Sequence, residues 1–243
     1  MYNFIATLVK NMNSEQSENE NIIDVSSSQS TSNSPYTITA ADVFKVRMYF
    51  LRGWGNNGKL PSLPYEIIDS IFDFAQYWSS VTSRREAFYK GDYLNMLYLT
   101  GSLPTPPSPN EAEIFTKCKM IKFTCESHDQ GWSSYPRTQG SYIGSYTWGE
   151  ASVVIPKQGI NLQDPSIEIG DKFDEKVPKE RYIVYTNKHA DNTWQIHNKV
   201  FTSDHPLVTG LQPGEMVGLW IRSNFPGWVN NIKRAELKLY YSF

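Results

Sequence analysis

Apolar residues recur along this chain with two different periods, and the change between them divides it. From Val43 to Phe50, and again from Ile67 to Trp78, they fall three and four residues apart; beyond Ile114 they alternate in short runs rich in β-branched and aromatic side chains. The first spacing belongs to one face of a helix and the second to one face of a strand.

The first helix is predicted to begin at Thr39-Ala40-Ala41-Asp42, an N-cap with an acid at N3, with Val43, Phe44, Val46, Arg47 and Phe50 at helical spacing behind it. Gly53 and the cluster Gly55-Asn56-Asn57-Gly58 end it. A second helix has Pro64 in its first turn and Glu66 and Asp69 toward the positive end of its dipole. Its apolar stripe is Ile67, Ile68, Ile71, Phe74, Ala75 and Trp78, which needs a partner surface. A third, weaker helical stretch is read over Ser83 to Leu99, broken near Gly91.

Leu103-Pro104-Thr105-Pro106-Pro107-Ser108-Pro109 then interrupts all regular structure, because proline has no amide proton to give to a helix or a central strand. After it come six expected strands: Ile114 to Cys125, Tyr146 to Ile155, Glu180 to Thr186, Trp194 to Phe201, Glu215 to Arg222 and Ala235 to Tyr241. A β-bulge is expected near Met120-Ile121, where the lysines at 117, 119 and 122 break the alternation. The predicted fold is therefore α+β, a short N-terminal helical region followed by an antiparallel β-sandwich of jelly-roll type. The expected boundaries are a disordered tail over 1–36, a helical region over 37–102, a Pro-rich linker over 103–110 and the sandwich over 111–243.

Charge narrows the partners. Lys and Arg number 23 against 25 Asp and Glu, a net charge of −2, so no surplus of cations is available to neutralise a nucleic-acid backbone. The N-terminal apolar run, Ile5 to Val9, is too short to span a bilayer and lacks the basic start of a secretory signal. From Asn11 to Pro35 the chain is mostly Ser, Asn, Glu and Gln and is expected to stay disordered. Cys118 and Cys125 lie seven apart on one expected strand, hence on opposite faces and out of disulfide range. No Asn-x-Ser/Thr acceptor occurs, and a reducing compartment, cytoplasmic or nuclear, is expected.

The densest chemistry lies in Ser127-His128-Asp129-Gln130-Gly131-Trp132-Ser133-Ser134-Tyr135-Pro136, followed by Tyr142 and by Tyr146-Thr147-Trp148. Flat rings beside hydrogen-bonding groups suit a sugar or a peptide, and the same residues equally suit closure of the end of a sandwich core. The candidate ligand-binding residues are His128, Asp129, Gln130, Trp132, Tyr135, Arg137, Trp148 and Trp228, the last from the loop Phe225-Pro226-Gly227-Trp228. His128, His189 and His197 do not have metal-site spacing, so no metal and no cofactor is expected. Glu126, Asp129 and Glu150 supply carboxylates, but a nucleophile elbow, a phosphate-binding glycine loop and a HExxH pair are absent, and the chain is read as non-catalytic.

Three segments carry a resemblance: Leu63-Pro64-Tyr65-Glu66-Ile67-Ile68-Asp69-Ser70-Ile71-Phe72-Asp73-Phe74-Ala75-Gln76-Tyr77-Trp78, then His128-Asp129-Gln130-Gly131-Trp132-Ser133-Ser134-Tyr135-Pro136, then Phe225-Pro226-Gly227-Trp228-Val229-Asn230. With them the chain resembles fungal F-box-like proteins in which a helical region precedes a β-sandwich. The sandwich is also similar to galactose-binding-like domains, whose end-loop aromatics bind ligands. The resemblance implies an adaptor in which Leu63, Pro64, Ile67, Ile68, Ile71 and Phe74 dock on the adaptor subunit of a cullin ubiquitin ligase, while the sandwich recruits a glycan or protein substrate. A carbohydrate-binding module without a ligase role is the alternative.

Overall fold

The computed structural model describes residues 37–53, 61–105, 116–161, 168–177 and 179–243, and the chain divides near Ser80 into two compact units. The expected disordered tail, the glycines at 55 and 58 and residues 106–110 of the expected linker lie outside the described residues.

In the first unit α1 (Ala40–Arg52) starts on the predicted cap. The Thr39 hydroxyl accepts the Asp42 amide at 3.2 Å and the Asp42 carboxylate accepts the Thr39 amide at 2.9 Å, so two amides that the helix cannot pair internally are satisfied. Gly53 ends it at φ 77°. Helix α2 (Tyr65–Ala75) follows Pro64, which stands one position before the helix as its N-cap. Its apolar residues form two adjacent stripes. Ile68, Phe72 and Ala75 are buried, and Phe72 meets Phe50 and Tyr77 edge-on at 6.3 and 5.6 Å. Ile67 and Phe74 face solvent. Arg47 of α1 lies over the Phe72 ring at 5.3 Å and pairs with Asp69.

Among the described residues the second unit is built from ten antiparallel strands in two sheets. The strands are β1 (Ser79–Arg85), β2 (Tyr89–Gly91), β3 (Asn95–Ser102), β4 (Lys117–His128), β5 (Thr147–Pro156), β6 (Phe173–Glu175), β7 (Tyr182–Thr186), β8 (Gln195–Phe201), β9 (Met216–Ser223) and β10 (Asn230–Ser242). One short helix, α3 (Pro206–Thr209), links β8 to β9. The first sheet runs β1-β10-β4-β8, with β2 also pairing on the start of β10. The second runs β3-β9-β5-β6, with β7 also pairing on β5.

Alternation explains the core. Ile121, Phe123 and Cys125 of β4, Leu237 and Leu239 of β10, and Val217, Leu219 and Ile221 of β9 are all fully buried between the sheets. Each such Leu or Phe contributes about 1.5–3 kcal/mol. Leu97, Val154, Phe173 and Trp220 form a smaller cluster of their own. Gly149 is required by packing, since a Cβ there would stand 2.2 Å from the Tyr185 ring. Both cysteines are buried and free; burial pushes the Cys118 thiol up to about 12 and raises Cys125 as well.

Two expectations change. Ser83 to Leu99 is not helical: it holds the last three residues of β1, all of β2 and the first five residues of β3. The sandwich therefore begins near residue 79 and not at 111, and the Pro-rich stretch connects β3 to β4 within it. The physical reason is that these strands find partners far along the chain, β10 for β1 and β2 and β9 for β3, which local periodicity cannot reveal. The register of β4 on β8 runs without a slip from Ile121 to Ser127; register shifts occur between Leu97 and Leu99 in β3 and between Gly149 and Glu150 in β5.

Candidate recognition surface at the loop end of the sandwich

Four connections gather at one end of the sandwich: 92–94 between β2 and β3, 129–146 between β4 and β5, 187–194 between β7 and β8, and 224–229 between β9 and β10. Register brings them together. Ser127 is opposite Gln195, Thr147 opposite Ser223, Trp148 opposite Thr186 and Asn230 opposite Gly91, so each pair of strands opens into loops at the same level.

Beneath the loops lies a buried polar network. The Ser127 hydroxyl donates to Asn187 Oδ1 at 2.7 Å, and Asn187 Nδ2 donates to Thr147 Oγ1 and Asn230 Oδ1, both at 3.1 Å. Asn230 Nδ2 in turn donates to the Trp148 and Arg222 carbonyls at 2.9 Å. The Asp129 carboxylate, fully buried, accepts the Thr147 hydroxyl at 3.0 Å and the Ala190 amide at 2.7 Å. Burial raises its pKa, opposed by hydrogen bonds from Ala190, Gln130 and Thr147 and by the proximity of His189. A satisfied network of this kind fixes one arrangement of the backbone, because any member left unpaired in the interior is costly.

The long 129–146 loop is tied down on that base. The Gly140 amide donates to the His189 carbonyl and the His189 amide to the Ser141 carbonyl, each at 2.7 Å. The buried His189 ring places Nδ1 2.8 Å from the Thr138 hydroxyl and 3.1 Å from the Ile143 carbonyl. Gln130 bridges two loops, accepting the Val229 amide at 3.2 Å and donating to the Trp132 carbonyl at 3.0 Å. Trp228 is wedged between Tyr146 at 4.9 Å and His189 at 5.1 Å.

Above this base stand large side chains open to solvent. Trp132 is 64% exposed, Tyr135 72%, Tyr142 60%, Ile143 72% and Tyr93 66%. Phe225 and Tyr146, in edge contact at 4.8 Å, are partly exposed beside them. Arg137 is exposed in the 3-10 turn Pro136–Thr138.

The predicted site residues thus fall into three places. Trp132, Tyr135 and Arg137 are on the open surface. Asp129, Gln130 and Trp228 lie under it and hold the loops. His128 and Trp148 are elsewhere: His128 points away from the core beside Trp194, at 4.3 Å, and Trp148 lies under the Arg222 guanidinium at 5.5 Å. Sequence reasoning missed Tyr93 and Ile143; Ser127, Thr147 and Asn230 lie in segments quoted above, but neither they nor Asn187, small polar residues at strand ends, were named as site residues. Of the predicted docking residues, Ile67, Phe74 and Pro64 are exposed, Leu63 and Ile71 are half-buried and Ile68 is fully buried.

The three candidate carboxylates have separate surroundings. Glu126, on the outward side of β4, pairs with Lys233 at 3.3 Å and Arg234 at 2.6 Å. Glu150, on β5 of the other sheet, pairs with Arg181 at 3.3 Å, and Asp129 is interior. Among the described residues no group of three or more His, Cys, Asp or Glu is placed to hold a metal ion. No described helix is long and apolar enough to cross a membrane.

No family model and no curated protein matches the chain. Among solved structures it is similar to a decameric BFDV capsid protein, at 13% identity over 68% of this chain and 97% of that one with a TM-score of 0.25. It is also similar to the 60-mer BFDV capsid protein, at 15% identity over 68% and 92% with a TM-score of 0.23. Likeness at these scores carries no argument about this chain.

Proposed function

We propose that this chain is a non-catalytic binding protein of the adaptor type, whose sandwich recognises another protein through the aromatic surface at its loop end. The observation that carries the reading is the pairing of five side chains at least 60% exposed with loops locked from below by a buried network. Large apolar side chains exposed together at one end of a fold mark interaction sites. The composition favours a protein partner: residues 129–146 hold four Ser, three Tyr and three Gly against two charged residues, Asp129 and Arg137. Tyr and Trp give large contact area at low entropic cost, and Ser and Gly give adaptable hydrogen bonding, the chemistry of antibody-like contact loops.

The helical unit supplies a second contact in this reading. Ile67 and Phe74 are 48% and 77% exposed on one face of α2, and the F-box resemblance assigns that face to the ligase adaptor subunit. Binding of the chain to purified ligase adaptor, lost in the Ile67→Lys/Phe74→Lys variant, is expected; no binding by the wild type removes the ligase assignment.

The recognition surface is tested by affinity capture from cell extract with the wild type and with the triple variant Trp132→Ala/Tyr135→Ala/Tyr142→Ala. Because all three side chains are exposed, the variant keeps its melting temperature. A partner held through aromatic anchors is lost by about tenfold or more in affinity. Equal retention by both proteins contradicts the assignment, and a glycan-array signal abolished by the same variant replaces the protein partner with a carbohydrate.

A further inference from the structure

Every open sheet has edge strands, and folded proteins blunt them with short length, exposed charge or a register break. Most edges here are blunted in those ways. Strand β1 carries the exposed Arg84, β2 and β6 have three residues each, β3 slips register between Leu97 and Leu99, and β7 sits where β5 slips between Gly149 and Glu150.

Strand β8 is different. It closes the first sheet, and among the described residues it pairs with β4 alone. Its seven residues, Gln-Ile-His-Asn-Lys-Val-Phe, contain no Pro or Gly and keep register without a slip. Its one lysine, Lys199, lies on the inward side with Nζ over the Phe201 ring at 5.2 Å, so no charge stands on the outward face. Its outward side chains are Ile196, 62% exposed, Asn198, and Val200, 44% exposed.

That sequence is self-complementary. Antiparallel pairing with a second β8, centred on Asn198, puts Ile196 opposite Val200 of the other copy twice over and Asn198 opposite itself. On the inward side Gln195 meets Phe201 and His197 meets Lys199. His197 is stacked on Tyr185 at 4.9 Å, and its burial depresses its pKa, so the imidazole faces the lysine uncharged. Opposed apolar pairs stabilise a ladder, and a two-fold pairing of one strand with itself closes after two copies and leaves no further edge of that kind.

We infer that the partner of this edge is a second copy of the chain, joined β8 to β8 about a two-fold axis at Asn198 so that the first sheets of the two copies become continuous. Sedimentation velocity on the full chain tests it: the account expects a concentration-dependent dimer across the micromolar range, lost in Ile196→Lys/Val200→Lys. Those two side chains are exposed, so the variant folds, as an unchanged melting temperature verifies. Register is tested separately by mild oxidation of Asn198→Cys. Opposed residues in an antiparallel pair have Cα atoms about 4.5–5.5 Å apart, within disulfide reach, and the native thiols are buried. A covalent dimer is expected from Asn198→Cys and none from Thr82→Cys on β1. A wild type that stays monomeric, a dimer indifferent to the lysine pair, or equal cross-linking at both positions overturns the inference.

Discussion

Asp129 is a fully buried carboxylate whose donors include the Thr147 hydroxyl and the Ala190 amide, and its replacements differ in which of them they leave unpaired. Asp129→Ala removes the acceptor from both donors inside the protein and is expected to cost roughly 2–4 kcal/mol, read as a fall in melting temperature. Asp129→Asn keeps an acceptor for the Ala190 amide and is expected to cost much less. The two also differ from the wild type in pH response. Burial raises the folded-state pKa of Asp129 above its unfolded value, so its protonated form is the one that favours folding. Its contribution is therefore present below the ordinary carboxylate range and lost as pH rises through the raised pKa. Melting curves from acid to neutral pH should show that loss in the wild type and not in Asp129→Asn. Gly149 gives a sharper result: a methyl group 2.2 Å from the Tyr185 ring forces the core apart, so Gly149→Ala is expected to destabilise by about 1–3 kcal/mol or more in the same measurement.

At the scale of elements, the cap on α1 is the most local feature and behaves locally. Thr39→Ala removes the acceptor for the Asp42 amide and is expected to lower stability by about 1 kcal/mol, measured by chemical denaturation. That cap was legible because it is written in four consecutive residues. So were β4, β5, β7, β8, β9 and β10, whose alternating apolar positions face a core that fills from both sheets. Strands β1 to β3 were not legible. Tyr98 and Leu99 are both buried because β3 slips register there, which spoils the two-residue period, and the polar β1 owes its conformation to β10, more than 140 residues away. At the loop end the sequence displayed its aromatics but not their division of labour. Trp132 and Trp228 carry the same side chain in similar Gly-flanked turns, yet one is open and the other is packed on His189, a difference set by long-range contacts beneath the loops that no local spacing shows.

The molecule as a whole consists of a helical unit with an exposed apolar face on α2 and a sandwich whose core is complete only when strands from before and after the Pro-rich stretch are both present. A fragment beginning at residue 111 lacks β1, β2 and β3, loses Tyr98 and Leu99 from the core, bares the pairing edges of β9 and β10, and is expected to be insoluble or molten by near-UV circular dichroism. On this reading the aromatic loop end is a preformed surface and not a set of mobile loops. Amide hydrogen exchange tests it most directly. The amides of Gly140, Asn187, His189 and Ala190 each donate within the base of the loops, so the account predicts that they exchange far more slowly than unprotected loop amides. Exchange at unprotected rates at these four positions would contradict it, because Trp132, Tyr135 and Tyr142 would then have no fixed platform from which to bind.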